Sequence, residues 1–329
     1  KIYTYWLLGI LLFTGCDDYL KEDSGDLLIP GKVEEFLPML YREGFPRNFN
    51  DEVAWLYLMT DDVEMGQLEL DPEDEANDTR DKNSSDAFNV GEGEEPYKWE
   101  REIKSYADNF WERRYGNILA CNLVIDALPE MEYVEADSGN YNFLAAQAYA
   151  LRAYNYWCLV NSYALPWSKE NLDKPGVIIR MEPQINISPR GRSSIREVYD
   201  LINEDIEKAE KYINIATFDG NIHRLSEPAI LLLASRIALF QENWDEVIRT
   251  GKLFLAQNSV ILNLNDQDTT LFGTEKGLSN KIFTMMDGTI NKEVVFTFGT
   301  QSYSPYQYLS TSGELFGLGF RPSHNTDAS

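Results

Sequence analysis

The chain has 329 residues, 43% of them hydrophobic and 13% aromatic, enough to bury a sizeable core in one large domain or two small ones. Its 54 acidic side chains outnumber 29 basic ones, and the resulting net charge of −25 excludes nucleic acid as a natural partner, because phosphates repel a protein of this sign. The three cysteines include no CxxC pair, and the two histidines, His223 and His324, stand too far from other ligand types to read as a zinc site or a nucleophilic triad.

The first element is the apolar run 2–13, interrupted only by Thr4 and Gly9. It is too short to span a bilayer as a helix, which takes roughly 20 residues, and it matches the h-region of a secretory signal with Lys1 left from a basic n-region. Thr14 and Gly15 supply small residues before Cys16, so the junction resembles a bacterial lipobox: residues 1–15 read as a signal peptide and Cys16 as the acylated new N-terminus. Asp17, Asp18, Glu22 and Asp23 make residues 16–31 an acidic tether.

Residues 32–329 follow as the folded domain. A short helix is predicted over 33–41. The stretch 66–98 is rich in Asp, Glu, Asn, Ser and Gly without apolar period and reads as a long surface loop. Helices are then predicted over 106–128, stopping at Pro129, and over 142–162, apolar nearly all round and hence buried. The connection 164–193 carries Pro166, Pro175, Pro183 and Pro189 with Gly176 and Gly191. Ser194 with Glu197 forms a capping box for a helix whose apolar positions, Ile195, Val198, Ile202, Ile206, Ala209 and Ile213, are spaced by three and four. Ser226 caps the next helix, with Pro228 in its first turn, and Asn243 with Glu246 reads as a second box opening a partner helix over 244–256. Two such helices joined tightly, within 226–257, are the unit of a tetratricopeptide-like array, with Trp244 as interhelical wedge and Val247 where the consensus has a small residue. Residues 259–264 and 293–299 read as strands. The fold class is therefore mainly α: a tetratricopeptide-like helical repeat scaffold with long loops and a few short strands.

Five stretches, in order, resemble the SusD/RagB family of outer-membrane lipoproteins of Bacteroidetes. CDDYL follows the lipobox. FWERRYGNILACN is similar to the family's helix with Trp111, Tyr115, Ile118 and Asn122. AAQAYALRAYNYW carries its Leu-Arg-Ala-Tyr, Leu151 to Tyr154. SIREVYDLINEDIEKAEKYI carries Asp205 and Ala209, and NWDEVIRTGKLFLAQ with NKEVVFTF resembles the last repeat and the strand after it. Tyr163-Ala164-Leu165-Pro166-Trp167 departs from the family's Tyr-Gly-Asp-x-Pro. The resemblance implies an N-terminal part over about 32–215, the helix pair 226–257, and 258–329 as the start of a loop- and strand-rich C-terminal part that continues in family members. It implies a surface-exposed protein, lipid-anchored to the outer membrane, that binds oligosaccharides, or in a minority branch peptides, and delivers them to a SusC-like TonB-dependent β-barrel transporter. The acid run after Cys16 resembles the surface-export signal of such lipoproteins.

Sugar rings stack on flat aromatic faces while amide, carboxylate and guanidinium groups bond the hydroxyls. Trp111, Tyr115, Tyr154 and Trp157 read as core. The candidate ligand contacts are Tyr97 and Trp99 after the acidic loop, Trp167 in the connection, and Tyr303 and Tyr306, with Tyr308, near the end. The run 71–81 lacks the Gly and closing Glu of a calcium loop and reads as solvated acid; no metal or cofactor is expected. With 54 acidic residues, carboxylate pairs carry no sign of catalysis, and no phosphate loop, nucleophile elbow or HExxH occurs, so no enzyme is expected. The rival readings are a tetratricopeptide-like adaptor for proteins or peptides and, more distantly, a polysaccharide-cleaving enzyme. Cys121 and Cys158 are free thiols or one disulfide; sequence leaves both open.

Overall fold

The computed structural model describes residues 32–46, 59, 63–65, 95, 98–102, 110–185, 188–261, 293–297 and 320–322. The signal, Cys16, the tether, the run 71–81, Tyr97, Tyr303, Tyr306, Tyr308 and His324 lie outside them.

Among the described residues six α-helices make the architecture: α1 (Val33–Glu43), α2 (Phe110–Ala127), α3 (Ser138–Tyr163), α4 (Ile195–Ile213), α5 (Glu227–Phe240) and α6 (Trp244–Gln257). A short antiparallel pair, β1 (Val63–Met65) with β2 (Phe320–Pro322), aligns Val63 with Pro322 and Met65 with Phe320. Helices adjacent in sequence pack on one another: α2 on α3, α3 on α4, α4 on α5, α5 on α6, with α1 laid across α2 and α3. This is the stacking of a helical repeat, in which each element buries its apolar face on its neighbour.

The helix α3 is the spine. Its Ala-rich first half (Leu144, Ala145, Ala146, Ala148) is fully buried against α1 and α2 residues such as Leu40, Cys121 and Val124. Its second half (Ala153, Tyr156, Leu159, Val160) joins Ile195, Val198, Tyr199 and Ile202 of α4 in another apolar cluster. The helix starts four residues before the apolar run that predicts it. Its polar first turn is held because Gly139 lies against Thr217: a Cβ at Gly139 would sit 2.9 Å from Thr217 Cβ, and Thr217 N donates to Gly139 O at 3.1 Å.

The Ser194–Glu197 capping box is formed, with Ser194 N donating to Glu197 Oε2 at 2.7 Å and Glu197 N to Ser194 Oγ at 3.2 Å. Ser226 Oγ caps α5 through Ala229 N. At α6 only half of the expected box exists: Asn243 Oδ1 accepts from Glu246 N, while the Glu246 carboxylate is taken by Arg249, which also reaches Glu210 on α4.

Three readings are corrected. Trp244 is no wedge: it is 59% exposed, because α6 turns Val247, Thr250 and Phe254 inward, and Trp244 lies on the far side with Ile248 and Leu255. Neither predicted strand forms among the described residues. Residues 258–261 have no strand geometry, and 293–297 dock instead, with Thr297 N donating to Ile222 O at 2.9 Å and Val295 and Phe296 packed on the core. The β-branched and aromatic residues there find a loop to pack on, not a sheet edge. Cys121 is buried and Cys158 half-buried, and no disulfide joins them. Trp111, Tyr115 and Trp157 are half-buried against the second cluster, Trp111 edge-on to Tyr163 at 4.9 Å and Trp157 edge-on to Phe240 at 5.0 Å.

Candidate functional site

The connection between α3 and α4 runs against α2 and α3 and is fastened to them residue by residue. Its two limbs meet where Gly176 N donates to Ser193 O at 2.6 Å and Ser193 N to Val177 O at 2.9 Å. The approach needs a glycine, since a Cβ on Gly176 would stand 3.0 Å from the carbonyl oxygens of Ser193 and Ser194. Three helix side chains then hold the backbone of 178–182. Tyr115 Oη donates to Ile178 O at 2.6 Å. Tyr156 Oη donates to Arg180 O at 2.7 Å and accepts from Arg180 N at 2.8 Å. Asn122 Nδ2 donates to Arg180 O at 3.0 Å and Glu182 O at 3.2 Å. Burial pushes the Tyr115 hydroxyl up to about 12 and raises Tyr156 as well, so both remain protonated donors.

Asn122 is itself fixed from below: Arg152 Nη1 donates to its Oδ1 at 2.9 Å, and Arg152 is clamped by Asp205 on α4. The motif residues Tyr115, Asn122, Arg152 and Asp205, from three helices, are thus one apparatus for presenting the connection. A second buried set, Arg114 and Asn117 on Asn155 Oδ1, ties α2 to α3 beside it.

The connection is cationic in an acidic protein. Between residues 164 and 194, Lys169, Lys174, Arg180, Arg190 and Arg192 face only Glu170, Asp173 and Glu182. Arg190 pairs with Glu182. Arg180 donates to Ser188 O at 3.0 Å, and Arg192 to Gly176 O and Tyr163 O. Sequence reading passed over these arginines; the local reversal of charge was the signal available.

Of the expected ligand contacts, Trp99 and Trp167 are described. Trp99 is 66% exposed and held at φ 55, in the left-handed region that bulky residues rarely occupy, next to a turn closed by Glu100 N on Glu95 O at 3.0 Å. Trp167 is half-buried, its ring edge-on to Tyr199 at 4.6 Å. The two are not brought into ring contact with each other among the described residues. His223 is tied to Thr297 O through Nδ1 at 3.1 Å. Among the described residues no cluster of three His, Cys, Asp or Glu could hold a metal, and no helix is long and apolar enough to cross a membrane.

The fold is a mainly helical repeat whose buried polar residues hold the connection between α3 and α4. Residues 45–239, more than half of the chain, match the SusD-like family model described as starch-binding and associating with the outer membrane, and the chain belongs to this family. It is similar to a SusD-like protein of Formosa agariphila, 27% identical over 158 residues that make up 47% of this chain and 27% of that one. The fold is shared with a putative sugar binding protein of Bacteroides vulgatus (TM-score 0.51, 19% identity, 68% of this chain and 45% of that one). It is shared too with a SusD superfamily protein of Bacteroides thetaiotaomicron (TM-score 0.53, 15% identity, 70% and 48%) and with a laminarin binding SusD-like protein (TM-score 0.51, 18% identity, 74% and 48%). The chain spans about half the length of these solved relatives.

Proposed function

We propose that this protein is a lipid-anchored protein of the outer-membrane surface that captures oligosaccharides, without chemistry on them, and passes them to a SusC-like TonB-dependent transporter. Family membership supports the carbohydrate ligand and the outer-membrane setting. The lipobox at Cys16 supports the anchor, since acyl chains contribute about 0.8 kcal/mol per buried methylene. The observation that carries the reading is Trp99: a large ring kept two-thirds exposed on a left-handed backbone costs energy in the free protein, and such strain recurs where a side chain must be presented to a ligand. Tyr97, Trp167, Tyr303 and Tyr306 complete the proposed aromatic set.

The test is calorimetric titration of the protein, made without residues 1–16, against a panel of oligosaccharides and a peptide digest. Saturable binding of one glycan class, weakened about tenfold or more by Trp99→Ala, is the expected result; stacking of a ring on an aromatic face is worth on the order of 1 kcal/mol or more. Binding of peptides alone moves the protein to the peptide-carrying branch. The adaptor reading is favoured by the exposed stripe Trp244, Ile248 and Leu255 on α6, and it gains if neither ligand class binds.

A further inference from the structure

We propose that the exposed stripe of α6 is a docking surface for a second copy of this chain, which lays its own α6 there in antiparallel direction. The proposal does not depend on the glycan reading above.

Trp244, Ile248, Gly251 and Leu255 follow one another at steps of four, three and four, the spacing of a helix-packing seam. At the turn of an α-helix they fall within about 60° of one another. The three side chains are each more than half exposed. Packing within the protomer uses other faces of α6. Thr250 is buried and Val247 and Phe254 are half-buried on the inward face, while Arg249 ties the helix to Glu210 of α4. In a stacked helical array an inner helix has a seam on each side, and an end element carries a polar outer face instead. The outer seam of α6 is apolar and open among the described residues.

Three features of the seam select a second copy as its occupant. A glycine in the middle of a helix weakens it relative to alanine, and nothing in the protomer calls for Gly251, since a Cβ there would meet no atom within 4 Å. It makes a hole in the stripe. Antiparallel pairing about a two-fold axis between positions 249 and 250 sets Ile248 of each copy into the Gly251 hole of the other, and Trp244 against Leu255, so the stripe is its own complement. The same arrangement brings Asp245 of each copy beside Lys252 of the other. Both are exposed on one flank of the stripe, and neither is in an ion pair among the described residues. Parallel pairing would instead stack Trp244 on Trp244, leave a void between two copies of Gly251 and give Asp245 no cation. Three side chains and a glycine are far less than a standard interface, so the contact is weak in solution. A chain anchored to a membrane, as proposed above, meets its copies at a raised effective concentration.

The experiment is analytical ultracentrifugation of the chain made without residues 1–16, up to about 1 mM, the range that a patch this small calls for. A reversible monomer–dimer equilibrium is expected. Ile248→Asp should abolish it. Gly251→Leu should weaken it about tenfold by filling the hole, while its melting temperature as a dilute monomer rises, since a side chain meets open space there. Asp245→Lys and Lys252→Asp should each weaken self-association about threefold or more, and the chain carrying both exchanges should recover it, with melting confirming the fold of every variant. A chain that stays monomeric at all concentrations overturns the proposal and returns the stripe to the adaptor reading. A dimer indifferent to Ile248→Asp uses another surface and overturns it as well. Single charge exchanges that the double exchange fails to rescue overturn the antiparallel arrangement.

Discussion

Arg152 and Asp205 meet through two parallel hydrogen bonds, Nε to Oδ2 and Nη2 to Oδ1, each 2.8 Å long, with side chains 2% and 0% exposed. Burial draws the Arg152 pKa down, but the hydrogen bonds and charge of Asp205 outweigh it and hold the guanidinium above its ordinary value. The third arm of Arg152 on Asn122 makes this pair the root of the network that fixes the connection. Replacing Asp205 by Asn strands a buried cation, and a loss of about 3–5 kcal/mol in urea unfolding is expected. Arg152→Met on top of Asp205→Asn should recover a large part of that loss, because no buried charge then remains. A double variant as unstable as the single one would show that the pair's geometry, not its charge, holds α3 to α4.

The turn between α5 and α6 contains Glu242 at φ 55, a left-handed position just past the helix end where glycine is the favoured residue. A left-handed backbone costs an ordinary residue roughly 1–2 kcal/mol, and glycine gives back about half of the gain through its freedom in the unfolded chain. Glu242→Gly should therefore raise stability by about 0.5–1 kcal/mol, read as a higher urea midpoint with an unchanged slope. Glu242→Val at the same site should lower it, because a β-branched residue is more strained there.

The capping box of α4 gives a pH dependence with a definite sign. Hydrogen bonds from the Ser194 side chain and then its backbone lower the Glu197 pKa below its ordinary value of 4.5. A carboxylate with a depressed folded-state pKa contributes stability that is complete above the unfolded value and is lost as pH falls through the folded one. Glu197→Gln keeps an acceptor for Ser194 N but removes the charge. The wild-type chain should be the more stable of the two at pH 7, and their urea midpoints should converge on acidification below the ordinary carboxyl range. A gap that persists in acid would mean that shape, not charge, carries the cap.

Local signals were the legible part of this fold. The Ser194–Glu197 box and the Ser226 cap are decided within a few residues, and both form as read. The start of α3 was not legible: Ser138, Gly139 and Asn140 have no apolar period, and they are helical because Gly139 lets Thr217 come close. Trp244 was misjudged since a repeat consensus fixes a residue type and not the rotation of its helix. The partnership of Arg152 with Asp205 spans 53 positions, so each residue could be noticed as part of a motif while their meeting could not. The aromatic candidates were chosen by chemistry alone, and exposure then separates Trp99 from Trp167, which leans on Tyr199. Arg180 and Arg192 were missed because isolated arginines in a proline-rich connection look like ordinary solvated charge.

The two core-helix thiols should differ sharply in reactivity. Cys121 is fully buried on α2 among Leu144, Ala145 and Val124, and burial pushes its thiol up to about 12. Thiolate is the reactive form, so Cys121 should stay inert in the native protein and react only on global unfolding. Cys158 sits half-buried on α3 beside Trp157 and is within reach of a small reagent. In a Cys16→Ser chain, labelling with a small aromatic disulfide should give one fast thiol, abolished by Cys158→Ser and unchanged by Cys121→Ser. Two thiols should appear in denaturant without reductant, because no disulfide joins them. Labelling of Cys121 at the rate of Cys158 would mean that α2 separates from α3 far more often than their packing implies, and that the network holding the connection opens with it.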